Sequence, residues 1–406
     1  MDKTEQLFLQ ILKSALQGQS LPESCEISEE QWQEVFQLAQ SHKVLPLVFQ
    51  AVYQNPALKD AAGIRAMVRR IVTVQTAKTC DFLALYEKLR AGGCTPLVVK
   101  GLMCRNLYPK PDLRVSSDED ILVPPEQFDR CCQILRAFGM ETDLPISRQE
   151  SDYEVPFRKK DSALFIEAHK SLFPPESDAY GDWNRFFTDA QQNAVADREV
   201  LTLSPTDHLF YLICHACKHF VHSGFGIRQV CDIVMFANAY GKQVNWGQVY
   251  DNCCQIRAEV FAAAIFRIGE KYLTFDPEKA AYPKAFRDIA VDETDMLQDL
   301  LSAGIYGSAN RSRTHSSNVT LNALSSDRQG RRGKSSLRST LFPTAKSLEY
   351  RYPYLEKHPI LLPVAWTSRI CSYLRETKQT HDNSAKESLK LGNQRVALLR
   401  KYRMIR

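Results

Sequence analysis

The sequence of 406 residues predicts an α+β protein: a small mixed β-sheet embedded in helical N- and C-terminal regions. Three observations predict it. The first ninety residues carry apolar side chains at helical spacing and little else. Between about 94 and 175, short β-rich runs such as Leu97-Val98-Val99, Ile121-Leu122-Val123 and Phe165-Ile166 lie between turn residues. Helical periodicity returns after Ser204.

Composition bounds the function classes. With 44% hydrophobic and 24% charged residues, the chain reads as an ordinary soluble protein of two or three domains. A net charge of +5 permits an anionic substrate without demanding nucleic acid. No run approaches the roughly 20 apolar residues of a membrane span. The N-terminal MDKTEQLFLQILKSAL is an amphipathic helix pattern containing acids, not a leader. Twelve cysteines are scattered without a CxxC, two pairs being adjacent (Cys131-Cys132, Cys253-Cys254), so reduced thiols in the cytoplasm are expected.

Taken in order, residues 3–16 place Leu7, Ile11, Leu12 and Ala15 on one helical face. Ser28-Glu29-Glu30-Gln31 is a capping-box pattern before Trp32, Val35 and Phe36. A short helix over 44–53 and a long one over 57–91 follow, the latter stopped at Gly92-Gly93. Residues 1–93 thus form a helical region expected to support the sheet. Residues 94–175 form the sheet core. Pro96–Val99 is its first strand and Gly101–Leu107 a helix. The second strand is 118–123, on which Asp118 and Asp120 share one face and Glu119 takes the other. Two carboxylates on one face at a strand end can hold Mg²⁺ between them, because that ion takes oxygen ligands and leaves room for substrate phosphates. A helix runs from Pro124-Pro125 to Gly139. Tyr153–Arg158 and Leu164–His169 are strands joined at Lys159-Lys160-Asp161, with Glu167 and His169 on one face.

Lys100-Gly101, Tyr108-Pro109, Arg114, the Asp118-x-Asp120-x-Leu122-Val123 run and the later Glu167-x-His169 resemble the bacterial uncharacterised nucleotidyltransferase family, part of a superfamily with a DNA polymerase beta-like fold. Glu119 departs from the pattern, in which an aliphatic is more usual; it puts an extra charge beside the site or on the solvent face. The resemblance implies transfer of an NMP group from an NTP, as co-substrate, to an acceptor, with release of pyrophosphate. Asp118, Asp120 and Glu167 are the implied catalytic and metal-binding residues. Two Mg²⁺ (or Mn²⁺) held by the aspartates would clamp the attacking and leaving oxygens, and Glu167 would complete the nucleophile side and help deprotonate the acceptor. Lys100, Gly101, Arg114 and Ser117 are the implied triphosphate contacts, the helix N-terminus at Gly101 offering N–H groups to an anion. His169 reads as an acid-orienting neighbour. A sugar, a small molecule, a protein or an RNA end all fit as acceptor, the resemblance tilting towards a sugar.

Residues 176–301 read as helical, completing the active-site cleft. Ser204-Pro205-Thr206-Asp207 opens a helix with His208, His215, His219 and His222 along one face. The resemblance extends over this helix and the following Arg228 to Asp232-Ile233. Lys218 or a histidine is expected to touch the triphosphate or the acceptor. A competing reading gives Zn²⁺ to His215 and His219 with His222 or Asp232; a metalloprotease is excluded because His215-Ala216-Cys217-Lys218-His219 lacks the glutamate. Residues 302–340 carry Arg311, Arg313, Arg328, Arg331, Arg332, Lys334 and Arg338 against a single acid, Asp327, and read as a flexible basic loop. Residues 341–406 read as a C-terminal helical segment. It contains a helix Trp366–Leu374, whose Arg369 matches the family, and a final amphipathic helix through Leu389, Leu391, Val396 and Leu399 that permits peripheral membrane contact. Besides the transferase, two readings stay open here: a catalytically silent nucleotide-binding scaffold, and a helical zinc-binding protein.

Overall fold

The computed structural model describes residues 1–21, 27–58, 61–175, 177, 179, 181–195, 198–304, 311–328, 330, 345–348, 352, 354–368 and 385–406. Four helices open the chain: α1 (Lys3–Leu16), α2 (Glu29–Ser41), α3 (Leu45–Val52) and α4 (Ala62–Ala91). The capping box at Ser28 and Gln31 forms as expected, and a second one joins Asp2 and Glu5. Helix α4 ends at Gly92 and Gly93, the latter at φ +78°, where glycine has no Cβ to clash. The C-terminal half of α4 lays Phe82, Leu85, Tyr86 and Leu89 on the sheet.

The sheet follows, with strands and helices interleaved: β1 (Leu97–Val98), α5 (Gly101–Arg105), β2 (Glu119–Leu122), α6 (Phe128–Ala137), β3 (Met140–Glu141), α7 (Ile146–Ser151), β4 (Glu154–Lys159) and β5 (Phe165–His169). Among the described residues its order is β1-β2-β5-β4-β3. β2 and β5 are parallel and the other pairs antiparallel, so the sheet is mixed and the fold α+β, as predicted. Ile121, Val155, Phe157, Ile166 and Ala168 line one face and pack under α4 and α6. Asp120, Glu167 and His169 therefore share the other face.

The stretch before Ser204 departs from the helical expectation. Ala190–Val195 (β6) and Arg198–Leu203 (β7) form an antiparallel hairpin. Its β6 strand, AQQNAV, is mostly polar and shows no apolar alternation; tertiary contacts decide the matter. Val200 joins the sheet core, the Leu201 amide donates to the Tyr86 hydroxyl at 2.7 Å, and the Thr202 hydroxyl donates to the Val98 carbonyl at 2.6 Å. Among the described residues the longer elements that follow are helices: α8 (Pro205–His222), α9 (Ile227–Tyr240), α10 (Trp246–Gln255), α11 (Glu259–Tyr272), α12 (Lys284–Arg287), α13 (Thr294–Ala303), α14 (Arg311–Arg328) and a C-terminal helix, Ala385–Lys401. No helix among the described residues is long and apolar enough to cross a membrane.

Helix α14 corrects the flexible loop expected over 302–340. Its Val319, Ala323 and Leu324 are buried, and Gly392 of the C-terminal helix lies so near Val319 that a Cβ there would sit 2.8 Å from it. Buried Arg313 pairs with Asp299. Polar composition masks such a helix because its partners are distant in sequence. The rest of the basic stretch, and Arg369 with most of its expected helix, lies outside the described residues.

Glu119 corrects a second expectation. It is fully buried on the sheet's inner side, not on the solvent face. Its carboxylate accepts from the Leu102 amide (2.8 Å), the Arg105 guanidinium (2.9 Å) and the Ser116 hydroxyl (2.8 Å), with Lys78 of α4 at 3.6 Å. Burial alone would raise its pKa, but Arg105 and Lys78 outweigh burial and hold it below the usual range. Gly101, at φ +40°, leaves room for it: a Cβ there would lie 1.9 Å from the Glu119 Oε2. Replacing Glu119 by Leu strands two buried cations and is expected to cost about 3–5 kcal/mol in urea unfolding. Adding Arg105→Leu should recover part of that loss; strictly additive losses would show that the two side chains do not act as a pair.

Candidate active site

The parallel register of β2 and β5 sets Asp120 opposite Glu167, and the next outward residue of β5 is His169. One ligand atom from each of these three lies within 4.8 Å of the other two. Asp118 precedes β2, is half-buried, and lines the same cleft of about 290 Å³. Lys100 enters from the N-terminal end of α5, and Lys218, His215 and His219 come down from α8.

Charge is tightly arranged here. The Lys100 ammonium lies 2.9 Å from the Asp120 Oδ1 and 3.3 Å from the His215 Nε2. His169 Nε2 lies 3.2 Å from the same Asp120 oxygen and 3.7 Å from Glu167, and its Nδ1 is 3.6 Å from Glu154. Burial opposes ionisation of Asp120, yet Lys100 and His169 hold its carboxyl well below the usual range. Burial likewise opposes the charge on His169, but its bonds to Asp120 and Glu167 win and raise its pKa to about 9. Burial pushes the Glu167 carboxyl up, His169 pulling it part of the way back. The surroundings of His169 thus favour its charged form, which donates to Asp120 and lies beside Glu167. Asp120 Oδ2 is buried and has no hydrogen-bond partner among the described residues. A buried carboxylate oxygen left so is an open position for a cation.

Of the residues singled out in the sequence, Asp118, Asp120, Glu167, Lys100 and Lys218 line this cleft. Arg114, Gly101 and Ser117 do not. Arg114 is buried and pairs with Asp232, which also accepts from the Tyr108 hydroxyl at 2.8 Å; this ties the segment before β2 to α9. The Leu102 amide at the start of α5 is bonded by Glu119 and does not face the cleft. Ser117 is exposed and accepts from Lys43. Of the four histidines, His208 turns to the hairpin, 3.1 Å from the Thr202 hydroxyl. His215 and His219 face each other at 3.2 Å. Burial first, then Lys100, holds both well below their ordinary pKa. With Asp232 engaged by Arg114 and Tyr108, no three-ligand cluster forms around His215 and His219 among the described residues.

Sequence reasoning did not single out Glu154, Tyr211 or Lys43. Glu154 and Tyr211 line the cleft. The hairpin register, which pairs Glu154 with His169, carried the signal for Glu154. Tyr211 lies one turn before His215 on α8, where it reads as core. Lys43 follows α2 in a left-handed conformation (φ 54°), and no local pattern marks it.

A family model described as uncharacterised nucleotidyltransferase matches residues 28–274. The chain belongs to that family and is an enzyme that transfers nucleotide groups. Comparison with curated proteins and with solved structures returned no match. The matched span holds the whole sheet, the cleft and α8 to α11.

His169 is charged in the fold up to about pH 9 and, in the unfolded chain, only up to about 6.5. The stability from this charge is therefore complete below pH 6.5 and is lost as pH rises to about 9. In metal-free protein the stability difference between wild type and His169→Gln should shrink by on the order of 3 kcal/mol from pH 6 to pH 9.5, read by urea unfolding. A difference that does not move with pH would remove the charge from His169.

Proposed function

We propose that this nucleotidyltransferase is metal-dependent and moves the NMP group of an NTP to an acceptor, releasing pyrophosphate. The observation that carries this reading is the convergence of Asp118, Asp120 and Glu167 with Lys100 in one cleft, around a buried Asp120 oxygen that no group among the described residues satisfies. Asp118, Asp120 and Glu167 would hold Mg²⁺ (or Mn²⁺), since carboxylate oxygens are the donors a hard divalent cation takes. When bound, such an ion neutralises charge on the phosphoryl oxygens.

The chain's own groups do the rest. His169 donates from Nε2 to Asp120 and sets its charge 3.7 Å from Glu167, holding the two carboxylates together before substrate arrives. Lys100 places an ammonium beside Asp120, on the flank where the triphosphate would lie. Phosphoryl transfer needs such positioning and charge compensation more than covalent help from the protein. Glu167, its pKa raised by burial, is suited to take the proton of an acceptor hydroxyl. Arg114 acts from behind: its pairing with Asp232 holds the segment from which Asp118 projects. Gly101 supports Lys100 through the room it leaves for Glu119.

The test is transfer of label from each α-³²P NTP, with Mg²⁺ or Mn²⁺, into a cell extract of the host. Wild type should label an acceptor. The Asp118→Asn, Asp120→Asn double variant should do so at least about a hundredfold more slowly. No label from wild type with any NTP, alongside NTP binding that survives the double substitution, would leave a nucleotide-binding scaffold in place of the enzyme.

A further inference from the structure

Besides its acids, the cleft is lined by six side chains that carry N–H or O–H groups. Five of them have a partner in the fold. The Lys100 ammonium lies 2.9 Å from Asp120, and His169 donates to the same carboxylate. His215 and His219 face each other, and Lys218 Nζ lies 3.3 Å from the Tyr153 hydroxyl. Tyr211 is the sixth. It is only 2% exposed, yet its hydroxyl has no hydrogen-bond partner among the described residues. A tyrosine this deeply buried ordinarily has its O–H satisfied.

The ring of Tyr211 is held in place. Phe173 and Phe187, from the segment between β5 and β6, pack on it with centroids at 5.8 and 6.1 Å. His208 and His215, from its own helix, do so at 6.2 and 6.0 Å. The charged groups acting on its hydroxyl are Lys100 first, then Asp120, Glu167 and Asp118. These are the four groups that the reading above gives to the metal and the triphosphate. Burial pushes the phenol's pKa well above its ordinary value, so the hydroxyl keeps its proton and can donate it to a hydrogen bond.

We infer that Tyr211 is a further catalytic residue, whose hydroxyl donates to a non-bridging oxygen of the α-phosphate of the bound NTP; this rests on the transferase reading above. Within that reading the phosphoryl group to be transferred lies over Asp118, Asp120 and Glu167, where the Tyr211 hydroxyl feels the charge of all three. The open hydroxyl calls for a lone pair. Phosphate oxygens bring only lone pairs, whereas an acceptor hydroxyl there has its own proton to give to Glu167. A neutral donor also suits the place. A second cation would be drawn onto the carboxylates, as Lys100 is onto Asp120, and an anion would repel the phosphate. No bond to Tyr211 forms or breaks in the transfer, and its proton stays on the phenol. With the ring already fixed by four neighbours, the donor needs no reordering when the nucleotide arrives.

Calorimetry on the full chain with Mg²⁺ and no acceptor tests this. ATP, GTP, CTP and UTP are titrated first. The tightest is then compared with its two α-phosphorothioate isomers, in which sulfur replaces one or the other non-bridging oxygen. Tyr211→Phe keeps the ring and removes only the hydroxyl. It should weaken the NTP about ten- to a hundredfold, the range of one hydrogen bond to a charged group. In wild type one isomer should bind about tenfold or more weakly than the NTP, because sulfur is a poor acceptor. In Tyr211→Phe that loss should shrink at least about fivefold, since the bond is already gone. Any effect of sulfur on the metal is common to both proteins and cancels. Urea unfolding is the second readout: removing a hydroxyl that has no partner in the fold should leave the midpoint unchanged or raise it. A lower midpoint would mean that the hydroxyl is bonded within the fold, and would overturn the inference. NTP binding by Tyr211→Phe within about threefold of wild type would overturn it and leave the transferase reading standing. Weaker binding with both sulfur effects intact would move the hydroxyl to another part of the nucleotide and overturn it too. No binding of any NTP by wild type would remove the transferase reading, and the role of Tyr211 with it.

Discussion

One buried carboxylate holds the centre of this molecule together. Glu119 sits in the dry interior between the sheet and α4, and every strong interaction around it converges on two oxygens. A lone ion there would be expelled; this one is kept because a guanidinium, an ammonium, a hydroxyl and a backbone amide share it. The donors come from three different pieces of the chain. Lys78 belongs to α4, Leu102 and Arg105 to α5, and Ser116 to the approach to β2. Gln75 extends the cluster, accepting from the Ser116 amide at 2.9 Å, and Lys78 donates to the Ser116 carbonyl at 3.0 Å. The N-terminal helices, α5 and β2 are therefore locked in one arrangement. A buried ionic cluster gains little net energy over an apolar core of the same shape. Its effect is to admit only one register, because any other would leave a charge unpaired.

That register is what makes the cleft. Along β2, neighbours point to opposite faces, so fixing Glu119 inward fixes Asp120 outward. A slip of one residue would bury Asp120 among Arg105 and Lys78 and turn Glu119 towards His169. The two acids differ by one methylene but have unlike surroundings. Glu119 has its lone pairs spent on the fold. Asp120 keeps one oxygen without a partner among the described residues, and its other oxygen is shared by Lys100 and His169. Structure and chemistry thus divide between adjacent residues of a four-residue strand.

How much of this was legible follows from where the signals lie. Strands and helices with local punctuation were readable: the capping box at Ser28, the stop at Gly92-Gly93, the turn at Lys159-Lys160-Asp161, the start at Ser204-Pro205. The strands followed from the short β-rich runs; that the sheet is mixed was implied by the family resemblance. Period two also read the shared face of Glu167 and His169 and the opposite facing of Glu119. It could not say what the Glu119 face meets, because Lys78 and Gln75 lie about forty residues upstream on a helix. The hairpin of β6 and β7 and helix α14 failed for the same reason. Neither has a strong amphipathic pattern of its own, and each is held by contacts to distant carbonyls, hydroxyls and side chains. Arg114 shows the limit for sites: an arginine close to acids in sequence turned away from them, to Asp232 on α9, 118 residues on.

The last part of the chain, beyond the span matched to the family, bears on the cleft through α8. The C-terminal end of that helix leaves carbonyls without intrahelical partners, as every helix does. Arg395 of the C-terminal helix supplies donors to two of them, the Phe220 and His222 carbonyls, and Thr320 of α14 donates to the carbonyl of Val221 between them. A guanidinium at a helix C-terminus is also favoured by the helix dipole, which offsets part of the burial that pulls the Arg395 pKa down to about 10. Lys218 and His219 lie in the turn these contacts hold. Their distance from Asp120 and Glu167 is thus set at one end by the sheet and at the other by two helices from outside the matched region. Helix α8 is a beam supported at both ends: Ser204 caps it beside the hairpin, Arg395 and Thr320 close it on the far side, and the imidazoles and Lys218 hang over the carboxylates between.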